Sequence, residues 1–225
     1  MSALLRRLRR DESGMSITEL VVTMMVTSIL LAIVASMFIN VAKVTANSNA
    51  SNSRSSVAAN VMEGITKVIR TAANNDVAGS EDPDPALVVG LPNSLTILSY
   101  VDTSALTPSP TKVVYRVDAN GNVLEDRYAS SLSAGYWVFA STASTRTLGG
   151  PVQTLTGTDS LFVYLDATNK VVTPASGGLT LLERDTIASI RVNVRILNAL
   201  STGADPIVVT NTIGMPNLKI SRTDD

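Results

Sequence analysis

One carboxylate in this 225-residue chain stands where carboxylates are rare. Glu19 lies between Ile17 and Leu20, at the mouth of a run from Leu20 to Ala42 in which 23 residues carry no charged side chain. An acidic group at the centre of a membrane helix costs about 2.5 to 3.5 kcal/mol, and near the end, where the cost is smaller, it still calls for a partner. Two readings follow from the spacing. Ser16 and Glu19 fit the S-x-x-E pattern of a capping box, whose side chains satisfy the free amides of a first helical turn. Alternatively the carboxylate is kept for a cation supplied from outside the helix.

The remaining chemistry is limited by what is missing. With no histidine and no cysteine, Ser-His and Cys-His dyads, thiolate nucleophiles and zinc-thiolate sites are excluded, leaving carboxylate or Ser-Lys arrangements that no spacing here supports. No catalytic residue, metal ligand or cofactor site is expected. Asp118-Ala119-Asn120-Gly121-Asn122 starts like a calcium loop, but the sixth and twelfth positions are Val123 and Ala129, where an EF-hand needs glycine and a bidentate glutamate. An Asn-Gly hairpin turn is the expectation there. Trp137, with Tyr136 and Phe139, is expected to fill a sheet core, the alternative being a platform for a surface partner. Arg191 and Arg195 share a strand face with Asn193 between them, suited to an acidic partner or to a solvated surface. Gly149-Gly150 and Gly177-Gly178 lack the strand-to-helix setting of a phosphate loop. The formal charge of −1 does not support nucleic-acid binding.

These groups depend on the elements that hold them. As a helix, Leu20 to Ala42 extends roughly 34 Å, enough to cross a bilayer. Arg6, Arg7, Arg9 and Arg10 outweigh Asp11 and Glu12 before Gly14, so the N-terminus is expected to stay cytoplasmic and the chain beyond Lys43 to lie outside. A secretory signal fits less well, because its apolar core runs about 7 to 15 residues and Val44-Thr45-Ala46 is a mediocre cleavage site. The polar tract Asn47 to Ser56 weakens a helix locally. Beyond it, Val57, Val61, Ile65, Val68 and Ala72 recur at helical spacing, so one long helix is expected through the tract to about Ala73. Gly64 should weaken it by roughly 1 kcal/mol relative to alanine. An acidic loop from Asn74 to Pro85 ends it. Strands are expected at Ser94 to Val101, Lys112 to Asp118, Val123 to Ala129, Tyr136 to Ala140 and Ser160 to Asp166. A further strand around Ile190 to Ile196 should pair with Ile207 to Ile213.

The segment Ser13-Gly14-Met15-Ser16-Ile17-Thr18-Glu19-Leu20 resembles the processing site of type IV prepilins and type II secretion pseudopilins. In that family a basic leader ends in glycine, a membrane peptidase cuts after it, and the fifth mature residue is glutamate. Gly14 and Glu19 stand in those positions, while Met15 takes the place most often held by phenylalanine. Phe162-x-Tyr164-x-Asp166 and Ile187-x-x-Ile190-x-Val192-x-Val194 are similar to the sheet of minor, W/J-type subunits.

The resemblance implies cleavage between Gly14 and Met15, N-methylation of Met15, and pairing of Glu19 with the N-terminal amine of a neighbouring subunit. It implies an α+β fold: a long membrane-spanning N-terminal helix whose C-terminal half packs against an antiparallel β-sheet head. The expected divisions are a leader over 1–14, a helix over 15–73 with a span at about 20–42 and an amphipathic half at about 57–72, and a head over 74–225. Implied partners are prepilin peptidase, other pilin or pseudopilin subunits, membrane lipid, and pilus or secretion machinery. The filament would reach the extracellular side and serve adhesion, motility, DNA uptake or protein secretion, among which the residues do not choose. The competing expectation is an uncleaved, single-pass anchored binding protein that does not polymerise.

Overall fold

A computed structural model describes residues 15–75, 85–101, 108–197 and 206–218. The leader with Gly14, and the loop residues 76–84, lie outside the described residues. Compactness divides the chain into Met1–Ala50 and Ser51–Asp225.

Helix α1, Ile17–Arg70, is continuous through the polar tract. In the first unit every described residue from Met15 to Asn49 is exposed. Among the described residues this is the one helix long and apolar enough to cross a membrane, consistent with single-pass anchoring. Its hydroxyls do not stay unsatisfied. Thr23 donates to the Glu19 and Leu20 carbonyls, Thr27 to Thr23, Ser28 to Met24 and Ser36 to Ile33, at 2.7 to 2.9 Å. Bonded back to its own helix, a hydroxyl can sit in hydrocarbon without a second partner.

In the second unit the end of α1 packs on two antiparallel sheets. The first has the order β1-β2-β3-β4-β7, made of Leu87–Leu91, Ser94–Ser99, Thr111–Val117, Val123–Tyr128 and Ser144–Gly149. The second has the order β11-β10-β8-β9, from Ile207–Gly214, Ile187–Ile196, Phe162–Asp166 and Val171–Val172. A separate hairpin pairs β5, Ser130–Ser133, with β6, Tyr136–Phe139. A short helix α2, Leu181–Thr186, is closed by a capping box between Thr180 and Glu183.

The helical stripe read from the sequence is the packing face. Val61, Ile65, Val68 and Ala72 are fully buried and Val57 is partly so, against Leu95, Val113, Phe162, Ile190 and others. Each such side chain contributes about 1.5 to 3 kcal/mol. Gly64 acquires a reason here: a Cβ would lie 3.2 Å from Leu148 of β7, so its absence lets helix and sheet approach. The helix stops at Arg70, three residues short of the expected Ala73, because the backbone turns to meet β2. The Ala73 amide donates to the Leu98 carbonyl, Ala72 bridges Ser99, and the Ser99 hydroxyl donates to the Val68 carbonyl at 2.9 Å. Ile190, Val192, Val194 and Ile196 of β10 face the core, and β11 pairs with it from Ile196↔Ile207 to Ser189↔Gly214.

The aromatic cluster departs from expectation. Trp137 and its neighbours lie on β6, outside both larger sheets and outside the core. The reason is topological: β4 and β7 pair directly with each other, so the segment between them leaves the sheet as its own hairpin.

Candidate functional site

Ser16 immediately precedes α1, and its carbonyl accepts from the Glu19 and Leu20 amides at 3.0 Å. Its hydroxyl accepts from the Thr18 amide at 3.3 Å and lies 2.6 Å from the Thr18 hydroxyl. Ser16 therefore acts with Thr18, and the reciprocal box with Glu19 does not form. The Glu19 carboxylate is exposed and has no partner among the described residues. Met15, also exposed, precedes the helix. Four residues along a helix correspond to about 6 Å, so these two positions occupy one end of an apolar rod and present no pocket. What such an arrangement can do is attract a cation to the rod's end.

The most developed polar constellation lies elsewhere and is not legible in the sequence. Tyr115, Glu125 and Arg146 stand opposite one another across β3, β4 and β7. Glu125 is fully buried. Its Oε1 accepts from Arg127 Nε at 2.5 Å and Arg146 Nε at 2.6 Å, its Oε2 from Tyr115 at 2.9 Å and Arg146 Nη2 at 3.1 Å. Burial raises its pKa, but the bonds from Arg146, Arg127 and Tyr115 outweigh burial and hold it below the usual carboxylate range. Burial first, then the adjacent Glu125 charge, pushes the Tyr115 hydroxyl well up. That hydroxyl also lies 3.2 Å from the Gly64 carbonyl, so one proton serves two acceptors and links sheet to helix. On the opposite face, Asp126 accepts from Arg116 Nε at 2.7 Å and Thr145 at 2.5 Å. Burial raises its pKa too, and these bonds more than reverse the effect. The Nε donors of Arg116, Arg127 and Arg146 are all spent on these two structural carboxylates.

The Asp118 loop is a hairpin turn between β3 and β4. Asp118 accepts from the Asn120 and Asn122 amides at 2.8 Å and from Asn122 Nδ2 at 3.1 Å. The Asn122 bonds lead in lowering its pKa. Gly121 supplies the left-handed residue at φ +81°. Asp166 closes the β8–β9 turn similarly through Thr168 and Lys170. Among the described residues no three acidic groups gather as metal ligands. An open groove of about 480 Å³ runs past Pro92, Asn93, Ser94 and Thr154, with Arg116 and Asp118 on its wall; both charges are already engaged as described. Arg191 reaches Thr212 at 3.5 Å, while Asn193 between the two arginines donates to the Thr158 and Ser160 carbonyls. Gly149 lies against α1, where a Cβ would come within 2.7 Å of Val57.

Compared with known proteins, the chain matches no family model and no curated sequence.

Proposed function

We propose that the chain is a pilin-like subunit, a minor pilin or pseudopilin, stored in the membrane by α1, cut between Gly14 and Met15, and assembled into an extracellular filament. The observation that carries this reading is the exposed carboxylate of Glu19, without a partner among the described residues, at the start of a helix whose apolar first part is exposed from Ile17 to Asn49. A single anchor gains from a charge in the first helical turn only the helix-dipole attraction, about 0.3 to 1 kcal/mol. A helix that packs beside copies of itself gains more, because the amine freed at Met15 of an arriving subunit can neutralise Glu19 of the last one and so set the register. The motif Ser13 to Leu20 supplies both halves of that pair. Prepilin peptidase would make the cut, methylation of Met15 would follow, and the assembly machinery would draw subunits from the bilayer. The head serves recognition or priming and not catalysis.

The test is incorporation. Glu19→Ala and Glu19→Gln should accumulate in membranes at normal levels and be nearly lost from the sheared filament fraction, whereas Glu19→Asp should retain part of it. Normal incorporation of Glu19→Ala would remove the proposed role of the carboxylate.

A further inference from the structure

The β5–β6 hairpin is an arm outside the core, anchored at its base by the Ser130 hydroxyl donating to the Pro110 carbonyl, with most of its residues exposed and Trp137 and Phe139 half-buried. From Ala129 to Thr145 there are 17 residues without a charged side chain, including the chain's only tryptophan. Residues alternate between the two faces of a strand pair. The pairs Leu132↔Trp137 and Ser130↔Phe139 occupy one face, and Ser131↔Val138 with Ser133↔Tyr136 the other. Exposed apolar side chains stand on both faces: Leu132 at 61% on the first, beside half-buried Trp137 and Phe139, and Val138 at 50% with Tyr136 at 37% on the second. Ala134 and Gly135, at φ 51° and 88°, make a tight tip free of bulky groups.

A second protein surface laid on one face would leave the other apolar face in water. An environment that surrounds the arm on both sides satisfies both. The base of the arm points the same way. The charged side chains of β3, β4 and β7 are Lys112, Arg116, Arg127 and Arg146 against Glu125 and Asp126, an excess of two positive charges. Arg116 is balanced by Asp126, while Glu125 alone faces two guanidiniums. Lys112 stands 4.4 Å from the Tyr128 ring centre and 5.8 Å from that of Phe139, where the arm begins. Four residues of strand reach about 13 Å, comparable with the 5 to 10 Å over which interfacial segments enter the headgroup and acyl boundary. Tryptophan and tyrosine prefer that depth, and basic residues at its edge meet anionic headgroups.

We infer that the β5–β6 hairpin inserts into an anionic lipid surface, with Leu132, Tyr136, Trp137 and Val138 in the interface and Lys112 at the headgroups. This does not depend on cleavage at Gly14 or on polymerisation. Its test is therefore separable from that of the proposed function.

Because Trp137 is the only tryptophan, its emission reports this arm alone in the full-length protein. The protein is reconstituted into vesicles of phosphatidylcholine and phosphatidylglycerol, with and without lipids brominated on the upper acyl chain. Bromination should cause a clear loss of Trp137 emission, and aqueous acrylamide should quench it weakly. The double variant Leu132→Asp, Val138→Asp alters exposed positions, so it should keep the wild-type melting curve while losing lipid quenching and gaining acrylamide quenching. Wild-type emission quenched by acrylamide and indifferent to brominated lipid would overturn the inference. Emission shielded from both quenchers and dependent on protein density in the vesicle would overturn it as well, in favour of a contact between copies.

Discussion

Replacing Glu125 by glutamine keeps the side-chain shape and removes the charge, and the geometry sets the size of the effect. The carboxylate takes four hydrogen bonds, three from arginines and one from Tyr115. Bonds to charged groups contribute about 1.5 to 3 kcal/mol each, and breaking a wholly buried ion pair costs about 3 to 5 kcal/mol. Two features reduce the loss. The Arg127 and Arg146 side chains are 33% and 54% exposed and can turn to water. The Tyr115 hydroxyl can donate to the Gly64 carbonyl while accepting from the new amide. The expected destabilisation is about 2 kcal/mol, and at about 2 to 4 °C per kcal/mol for a domain of this size the melting temperature should fall roughly 4 to 8 °C. The sign with pH follows from the lowered pKa of Glu125. Its stabilisation is full above the unfolded value of about 4.3 and is lost as pH falls through the lower folded value, so the gap between the two proteins should close in acid. Thermal melts followed by circular dichroism on the full-length protein, at neutral pH and in acid, measure both. A variant as stable as wild type at neutral pH would refute the assignment of Glu125 as the ionised tie between β3, β4 and β7.

Ile65→Ala, at the centre of the buried helix stripe, should destabilise the second unit by about 2 to 5 kcal/mol in chemical denaturation. Gly149→Ala forces a methyl to within 2.7 Å of Val57 and should cost about 1 to 3 kcal/mol in the same assay. Burial raises the pKa of Tyr115 and Tyr164, and the unfolded chain ionises its tyrosines near pH 10 while the folded one does not. Stability should therefore decline as pH rises past about 10, and Tyr115→Phe should shallow the decline in melts across that range.

What is legible in the sequence follows a physical division. The long helix is readable because its apolar run and the Val57 to Ala72 spacing are periodic signals, and the intervening Asn and Ser residues weaken a helix without breaking it. Strand β10 is readable from strict alternation. Strand β1 is hidden because Gly90 interrupts it; a Cβ there would lie 2.7 Å from Leu179 and 3.0 Å from Tyr164, a contact visible only in three dimensions. The Ser-rich β5 and Thr-rich β7 have the composition of loops and gain their identity from pairing. Helix α2 does carry a signal, the T-x-x-E spacing of Thr180 and Glu183. Glu125 and Asp126 look like a solvated stretch in sequence, since their burial depends on arginines and a tyrosine from other strands. Composition places Trp137 in the core because aromatic strands are usually buried, whereas the direct pairing of β4 with β7 ejects this one. The carboxylate of Glu19 is legible as an anomaly, and the structure removes the capping box as its explanation.

The most direct measurement is the N-terminal mass and sequence of the protein from membranes of cells with and without their prepilin peptidase. The account predicts a start at Met15, methylated, that depends on the peptidase. An intact Met1 in both cells, or a start beyond Ala46, would contradict it.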